Sequence, residues 1–209
     1  MARDTRRRIT ETCLRLFNEA GEPAVSTNQI ADAVDISPGN LYYHFRRKSD
    51  IVTDLFDLYR HRITPLLEVP EEAVLHVDDA WLLLHLMFET VWDYRFIYRD
   101  LDSLLGRYEV LRTRLQRVIR SKEEALHRVC DGLVRSGSMV ADGHEARQLA
   151  RNMNLVLCYW LSYQHAIGSQ QPPERQLGNG VYHVFSLLLP YLVVDARGQL
   201  AALARAYIS

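Results

Sequence analysis

Cysteine is scarce in this chain. The three, Cys13, Cys130 and Cys158, are odd in number and far apart among 209 residues. That excludes a disulfide framework and predicts buried thiols in a reducing cytoplasm. The charged start, Met1 to Arg8, has no apolar run behind it, so no signal peptide is expected. The most apolar late stretch, Val181 to Val194, is interrupted by His183, Ser186 and Pro190. It is shorter than the ~20 residues of a membrane span. There is no Gly-x-Ser-x-Gly elbow, no glycine-rich phosphate loop, and no histidine pair spaced i, i+3 or i, i+4. Catalysis, a metal site and a cofactor are therefore not expected. Net charge is −1, and residues 1–62 hold ten basic against nine acidic residues. The totals do not argue for a polyanionic partner. Only local clusters do: Arg3, Arg6, Arg7 and Arg8, then Arg46, Arg47 and Lys48. A charge run is more often a solvated face, but two of them flank one short unit.

What is present is helical periodicity. Ile9, Cys13, Leu16, Phe17 and Ala20 form one stripe of a first helix, Asp4 to Ala20, which Gly21 stops. Ser26-Thr27 can cap a second helix running to Val34, with Ile30 and Val34 inside. Asp35-Ile36-Ser37 is a three-residue turn. Ser37 then caps a short third helix with Pro38 in its first position. Together these predict a helix-turn-helix.

The third helix has two unlike faces. At about 100° per residue, with Gly39 at 0°, Leu41 and Phe45 fall near 200° and 240°. Tyr43, Asn40, His44 and Tyr42 fall near 40°, 100°, 140° and 300°. The first pair anchors the helix to a scaffold. The rest, with bare backbone at Gly39, offers donors and rings to a polar partner. In a helix-turn-helix that partner is the DNA major groove, with phosphates at the helix N-termini near Thr27 and Ser37. Asn40 has the geometry to pair with adenine. Lys48 and Arg6–Arg8 would add sequence-independent attraction. Two helices and a tight turn are also a common structural corner, in which the tyrosines would merely be packed.

The pattern Thr27-x-x-Ile30-Ala31-x-x-x-x-Ile36-Ser37-x-Gly39-x-Leu41-Tyr42-Tyr43-His44-Phe45-x-x-Lys48 resembles the signature of TetR-type transcriptional regulators. The resemblance implies an all-α fold. A three-helix DNA-binding bundle with a helix-turn-helix (residues 2–62) would precede a larger helical effector-binding and dimerisation domain (63–209). It places DNA contacts at Thr27, Ser37, Gly39, Asn40, Tyr42, Tyr43, His44 and Lys48. Position 38 is Pro here, which removes a donor found in some members.

The remainder reads as further helices. A fourth, capped by Ser49-Asp50, covers about 50–64 and is ended by Pro65 and Pro70. It joins the two parts. Others are expected at Val77–Tyr98, around Ser103–Gly106, and at Tyr108–Arg135, Asp142–Ile167 and Val181–Val193. A last amphipathic helix uses Leu200, Leu203 and Tyr207. Gly168 to Gly180 reads as a polar loop. From Met153 to Leu161 the chain is apolar all round, so that helix must be covered on every side.

In the proteins it resembles, the last two long helices pair with those of a second copy and the intervening ones enclose a pocket. On that basis Met153, Val156, Leu157 and Trp160 with Val184, Leu188 and Tyr191 are assigned to a homodimer seam. Phe88, Trp92, Tyr108, Tyr159 and Tyr163 are assigned to an effector pocket. Arg99 could face a ligand carboxylate or phosphate, or form a surface ion pair. The expected function is a ligand-responsive regulator, most often a repressor, on palindromic double-stranded DNA. The alternative is an architectural or tethering factor with no small-molecule effector. An enclosed cavity would favour the first, and a filled core with an exposed apolar patch the second. Leu16-Phe17-Asn18, Gly21-Glu22-Pro23, Ile36 to Phe45 and Tyr94-Arg95-Phe96 resemble a subgroup that includes a polyhydroxyalkanoate-cluster regulator. That would imply an acyl-type effector.

Overall fold

The computed structural model describes the backbone of residues 2–208 and their side chains except at 2, 3, 173, 174 and 204–208. Arg3 and Tyr207 therefore lie outside the described side chains. The elements are α1 (Ala2–Ala20), α2 (Thr27–Val34), α3 (Pro38–His44), α4 (Lys48–Leu67), α5 (Val77–Asp93) and α6 (Arg95–Arg99), then α7 (Leu101–Arg107), α8 (Glu109–Arg135), α9 (Gly143–Ala166), α10 (Pro173–Leu188) and α11 (Val194–Ile208). Among the described residues there is no strand, only a single bridge between Met139 and Leu192. No helix among them is long and apolar enough to cross a membrane.

The first three helices follow their caps and stripes. Ile9, Cys13 and Phe17 of α1 are fully buried. Gly21 ends α1 at φ +90°, a left-handed turn that glycine adopts without strain. Ser26 and Gln29 form the capping box of α2. Asp35, at φ 57°, turns the chain into α3. The Ser37 hydroxyl accepts from the Asn40 N–H at 3.1 Å.

Three boundaries differ from the sequence reading, each for a local reason. Helix α4 begins at Lys48 and not at Asp50, because the Asp50 carboxylate reaches back to the Arg47 N–H at 3.0 Å. It also runs past Pro65 to Leu67, since a proline in the last turn removes only one late hydrogen bond. The helix expected over 77–98 breaks at Tyr94. There Asn18 of α1 supplies the missing partners, its amide donating to Asp93 O at 2.8 Å and its Oδ1 accepting from the Phe96 N–H at 3.1 Å. Helix α10 begins at Pro173, eight residues before Val181, so much of the expected loop is helix. Proline at a first helical position starts a helix without cost.

One apolar core runs continuously from α1 to α11. Helices α8 and α9 are the longest, and α4, α5, α6 and α10 close around them. The approach of α10 depends on Gly180. A Cβ there would stand 2.6 Å from a Phe88 ring carbon and 2.9 Å from the Trp160 indole. All three cysteines are buried and unpaired.

Gly180→Ala should cost about 1–3 kcal/mol through overpacking, read as a lower urea midpoint at unchanged slope. A second expectation concerns alkali. Burial pushes the Cys13 and Cys130 thiols up to about 12 from an ordinary value near 9. Folding thus favours their neutral forms. The associated stability is complete below pH ~9 and declines as pH rises towards 12, because the unfolded chain releases protons that the folded chain keeps. Each thiol contributes up to ~1.4 kcal/mol per pH unit in that window. The urea midpoint should fall between pH 8 and 10.5, and fall less in Cys13→Val.

Candidate nucleic-acid interface

Helix α3 is bolted down on one side only. Leu41 and Phe45 are buried, whereas Tyr42 and Tyr43 are 63% and 78% exposed. Thr27, Ser37, Gly39 and Asn40 are exposed as well, and His44 is half-buried with its ring edge-on to Tyr43 at 5.2 Å. The two N-termini, of α2 at Thr27 and of α3 at Pro38, are thus open to solvent with free backbone donors in their first turns. Seven of the eight expected contact positions share this accessible region.

Lys48 departs from its expected role. Its ammonium donates to the carbonyls of Glu22 and Val25 and pairs with Glu22 Oε1 at 2.9 Å. All three of its protons are engaged inside the bundle, so it is a strut and not a free phosphate ligand. Two of the leading arginines are likewise committed. Arg6 donates to His44 O at 2.9 Å, closes on Asp54 and lies 4.0 Å over the Phe45 ring. Arg8 donates to Val34 O at 2.9 Å. They cap the C-terminal ends of α3 and α2, where cations are favoured.

The carboxylate that holds Lys48 has no role that the sequence pattern marks. Glu22 is fully buried, and besides Lys48 it accepts from the Tyr108 hydroxyl at 2.7 Å and from Arg107. Burial, followed by the carboxylate it donates to, pushes the Tyr108 phenol above its ordinary value, so it remains a donor. Beside this cluster, Arg99 donates to Phe17 O at 2.8 Å and Asn18 O at 3.1 Å, the last carbonyls of α1. Asp100 accepts the Glu22 N–H at 3.0 Å. Arg99 also pairs with Asp100 at 3.5 Å and borders an open cavity with Trp92, so it is more than a simple surface ion pair. It ties α6 to the first helix. A single acid between Gly21 and Pro23 gives no periodic signal that could have exposed this role.

The expected pocket does not assemble. Tyr108 belongs to the Glu22 cluster, and Phe88 is buried against α10. Trp92 lines an open cavity of about 320 Å³ with Arg95 and Gln164. Tyr159 and Tyr163 are 46% and 55% exposed on the outer face of α9. The expected seam is corrected too. Met153, Leu157, Val184 and Leu188 are buried within the protomer, and Trp160 donates its indole N–H to Gln176 O at 2.9 Å. Only Val156 and Tyr191 keep partial exposure. The outward apolar face is instead Leu155, Tyr159, Tyr163 and Ile167, with Tyr182 on α10. A helix that is apolar all round carries no mark of which stripe faces its own core, so the two faces were exchanged.

With this geometry the comparisons agree. The model described as "Bacterial regulatory proteins, tetR family" matches residues 9–55, and the one described as "Bacterial transcriptional repressor" matches residues 58–200. The chain is similar to the HTH-type transcriptional regulator AcrR of Shigella flexneri, 32% identical over 98 residues. That match spans 45% of this chain and 45% of the relative, less than half of each. A TetR-family transcriptional regulator from Marinobacter aquaeolei VT8 superposes with a TM-score of 0.86 at 32% identity, covering 97% of this chain and 98% of that one. NalD of Pseudomonas aeruginosa, the secondary repressor of the MexAB-OprM multidrug efflux pump, shares the fold at 18% identity and a TM-score of 0.61, covering 93% of this chain and 100% of that one. These relatives are regulators, not enzymes, and the chain with its exposed recognition helix belongs to the TetR family of bacterial transcriptional regulators.

Proposed function

We propose that this chain is a homodimeric repressor that leaves a palindromic operator when a small molecule binds its larger domain. The observation that carries the reading is the split on α3: two buried anchors behind and two exposed tyrosines in front. Phosphates would seat on the open N-termini of α2 and α3, with Thr27 and Ser37 as hydroxyl donors. Asn40, Tyr42, Tyr43 and His44 would meet base edges and sugars, and Gly39 would let the backbone come close. Two copies of α3 about 34 Å apart would span successive turns of one groove. The division between the parts falls near residue 62, within α4, so any motion of α4 reaches both.

A second copy is the natural cover for the apolar face of α9 and α10. Its residues follow helical spacing at positions 155, 159 and 163, which suits antiparallel helix pairing across a two-fold axis. The tethering alternative has one observation on its side: the cavities found among the described residues are open clefts, and the interior around α9 is filled. Coupling of only 1–3 kcal/mol would suffice for a 5- to 150-fold effector response, and small motions at the Glu22 cluster would carry it.

Tyr43→Ala combined with His44→Ala should weaken binding to an operator selected in vitro by about 1–3 kcal/mol per lost base contact, with helicity and melting temperature kept. Full affinity in that variant would remove α3 as the reading element. Leu155→Glu with Tyr159→Glu should give monomers in sedimentation velocity and lower operator affinity. An unchanged dimer would place the interface elsewhere.

A further inference from the structure

Lys122 of α8 is fully buried, and among the described residues no carboxylate lies within salt-bridge distance of it. Its ammonium donates to the Tyr98 hydroxyl at 2.8 Å and to Cys158 Sγ at 3.2 Å, and stands 4.3 Å from the Tyr98 ring centre. Tyr98 in turn shares a 2.5 Å hydrogen bond with Tyr59. Both phenols are fully buried, and burial pushes each well above its ordinary value, so neither supplies negative charge.

Asn154 stands behind Cys158. The Asn154 amide nitrogen donates to Ile119 O at 3.0 Å, which fixes the amide orientation. Its Oδ1 therefore faces Cys158 Sγ at 3.6 Å, and an oxygen with no proton can only accept there. Among the described residues the cluster holds no carboxylate.

It also has too many donors. The ammonium and the two phenols carry five protons. Three are placed: from Lys122 to Tyr98, from Lys122 to Cys158, and between the two phenols. One ammonium proton and one phenol proton have no acceptor among the described residues. A buried cation without a carboxylate partner, and buried donors without acceptors, are both unfavourable unless something else occupies them.

We propose that the Lys122–Tyr98–Tyr59 cluster is the acid-recognition end of the effector site and that the effector is an organic carboxylate. One negative charge and two acceptor oxygens match one cation and the two unplaced protons. A phosphate dianion would bring a second charge with no second cation to meet it. The way in is the seam between α4 and α8. A cleft of about 540 Å³ opens there, lined by Val118 and Ser121 on the turn before Lys122, with four arginines against three carboxylates around it. The cluster spans the helices that matter for a response. Tyr59 lies on α4, and Tyr98 precedes Arg99, which grips the end of α1. A carboxylate inserted between the phenols and the ammonium would part α4 from α6 and α8.

This inference rests on the regulator reading, and the test separates the two. The full-length protein, bound to its in vitro-selected operator and free, is titrated with sodium acetate, hexanoate and decanoate and with 1-hexanol and 1-decanol. At least one carboxylate should raise the melting temperature of the free protein and release the operator, while the alcohol of equal length does neither. Lys122→Met, a hydrophobic replacement of similar length, should keep operator binding and lose both carboxylate effects. Tyr59→Phe, which keeps the ring, should weaken the carboxylate by about tenfold. The proposal is overturned if no carboxylate in the series stabilises the protein, if the alcohols act equally, or if Lys122→Met responds like the parent. A parent protein that binds no DNA would instead overturn the regulator reading.

Discussion

The polar seam between the end of α1 and the larger part of this molecule is gathered around one buried carboxylate. Glu22 sits on the two-residue step out of α1, yet its oxygens gather Lys48 from the start of α4 and Arg107 and Tyr108 from the junction of α7 and α8. A lone carboxylate in that position would be costly. Surrounded by two cations and a phenol, it becomes a fixed point that every neighbouring element must respect. Asn18, Arg99 and Asp100 extend the same seam along the end of α1. The reading head is thus not hung on α4 alone. It is clamped at the far end of α1 as well, by polar contacts that are directional and have little tolerance for sliding.

This arrangement would let a small bundle report on a larger one. Helices α1 to α4 enclose one end of the continuous apolar core, and α3 is fixed in it by Leu41 and Phe45. Displacing α6 would be felt there directly, because Phe96 packs on Phe17 of α1 at 5.5 Å between ring centres. It would strain the bonds from Arg99 to the α1 carbonyls and tilt the bundle as a body. Interfaces of this sort respond by switching between discrete arrangements more than by bending.

The reading head was legible in the sequence because its signals are local. Ser26 and Ser37 cap, Pro38 starts a helix, and Leu41 and Phe45 share a face; each needs only its neighbours to be understood. The larger domain was legible as helices but not as faces. Leu155 and Leu157 look alike in a run with no polar side, although the first is exposed and the second buried. The break at Tyr94 was illegible for another reason. Its stabilising partner, Asn18, lies 78 positions from Phe96. Lys48 shows the same limit from the opposite direction: the motif marked it as a phosphate ligand, and a glutamate 26 residues earlier in the chain had already taken it.

The use of Arg6, Arg8 and Lys48 as internal braces has a consequence for how the protein would search a genome. Cations that hold helix ends and loops together are not at liberty to displace the counterions condensed on a duplex. What would face the groove from α2 and α3 is two phenols, an imidazole, an amide, two hydroxyls and the partial charges of two helix N-termini, with Arg46 and Arg47 exposed just beyond. Such a surface draws less on ionic attraction at a random site than the count of its arginines and lysines suggests. Its advantage at the right sequence comes from fitted hydrogen bonds and ring contacts, so the contrast between operator and bulk DNA would narrow little as the salt concentration changes.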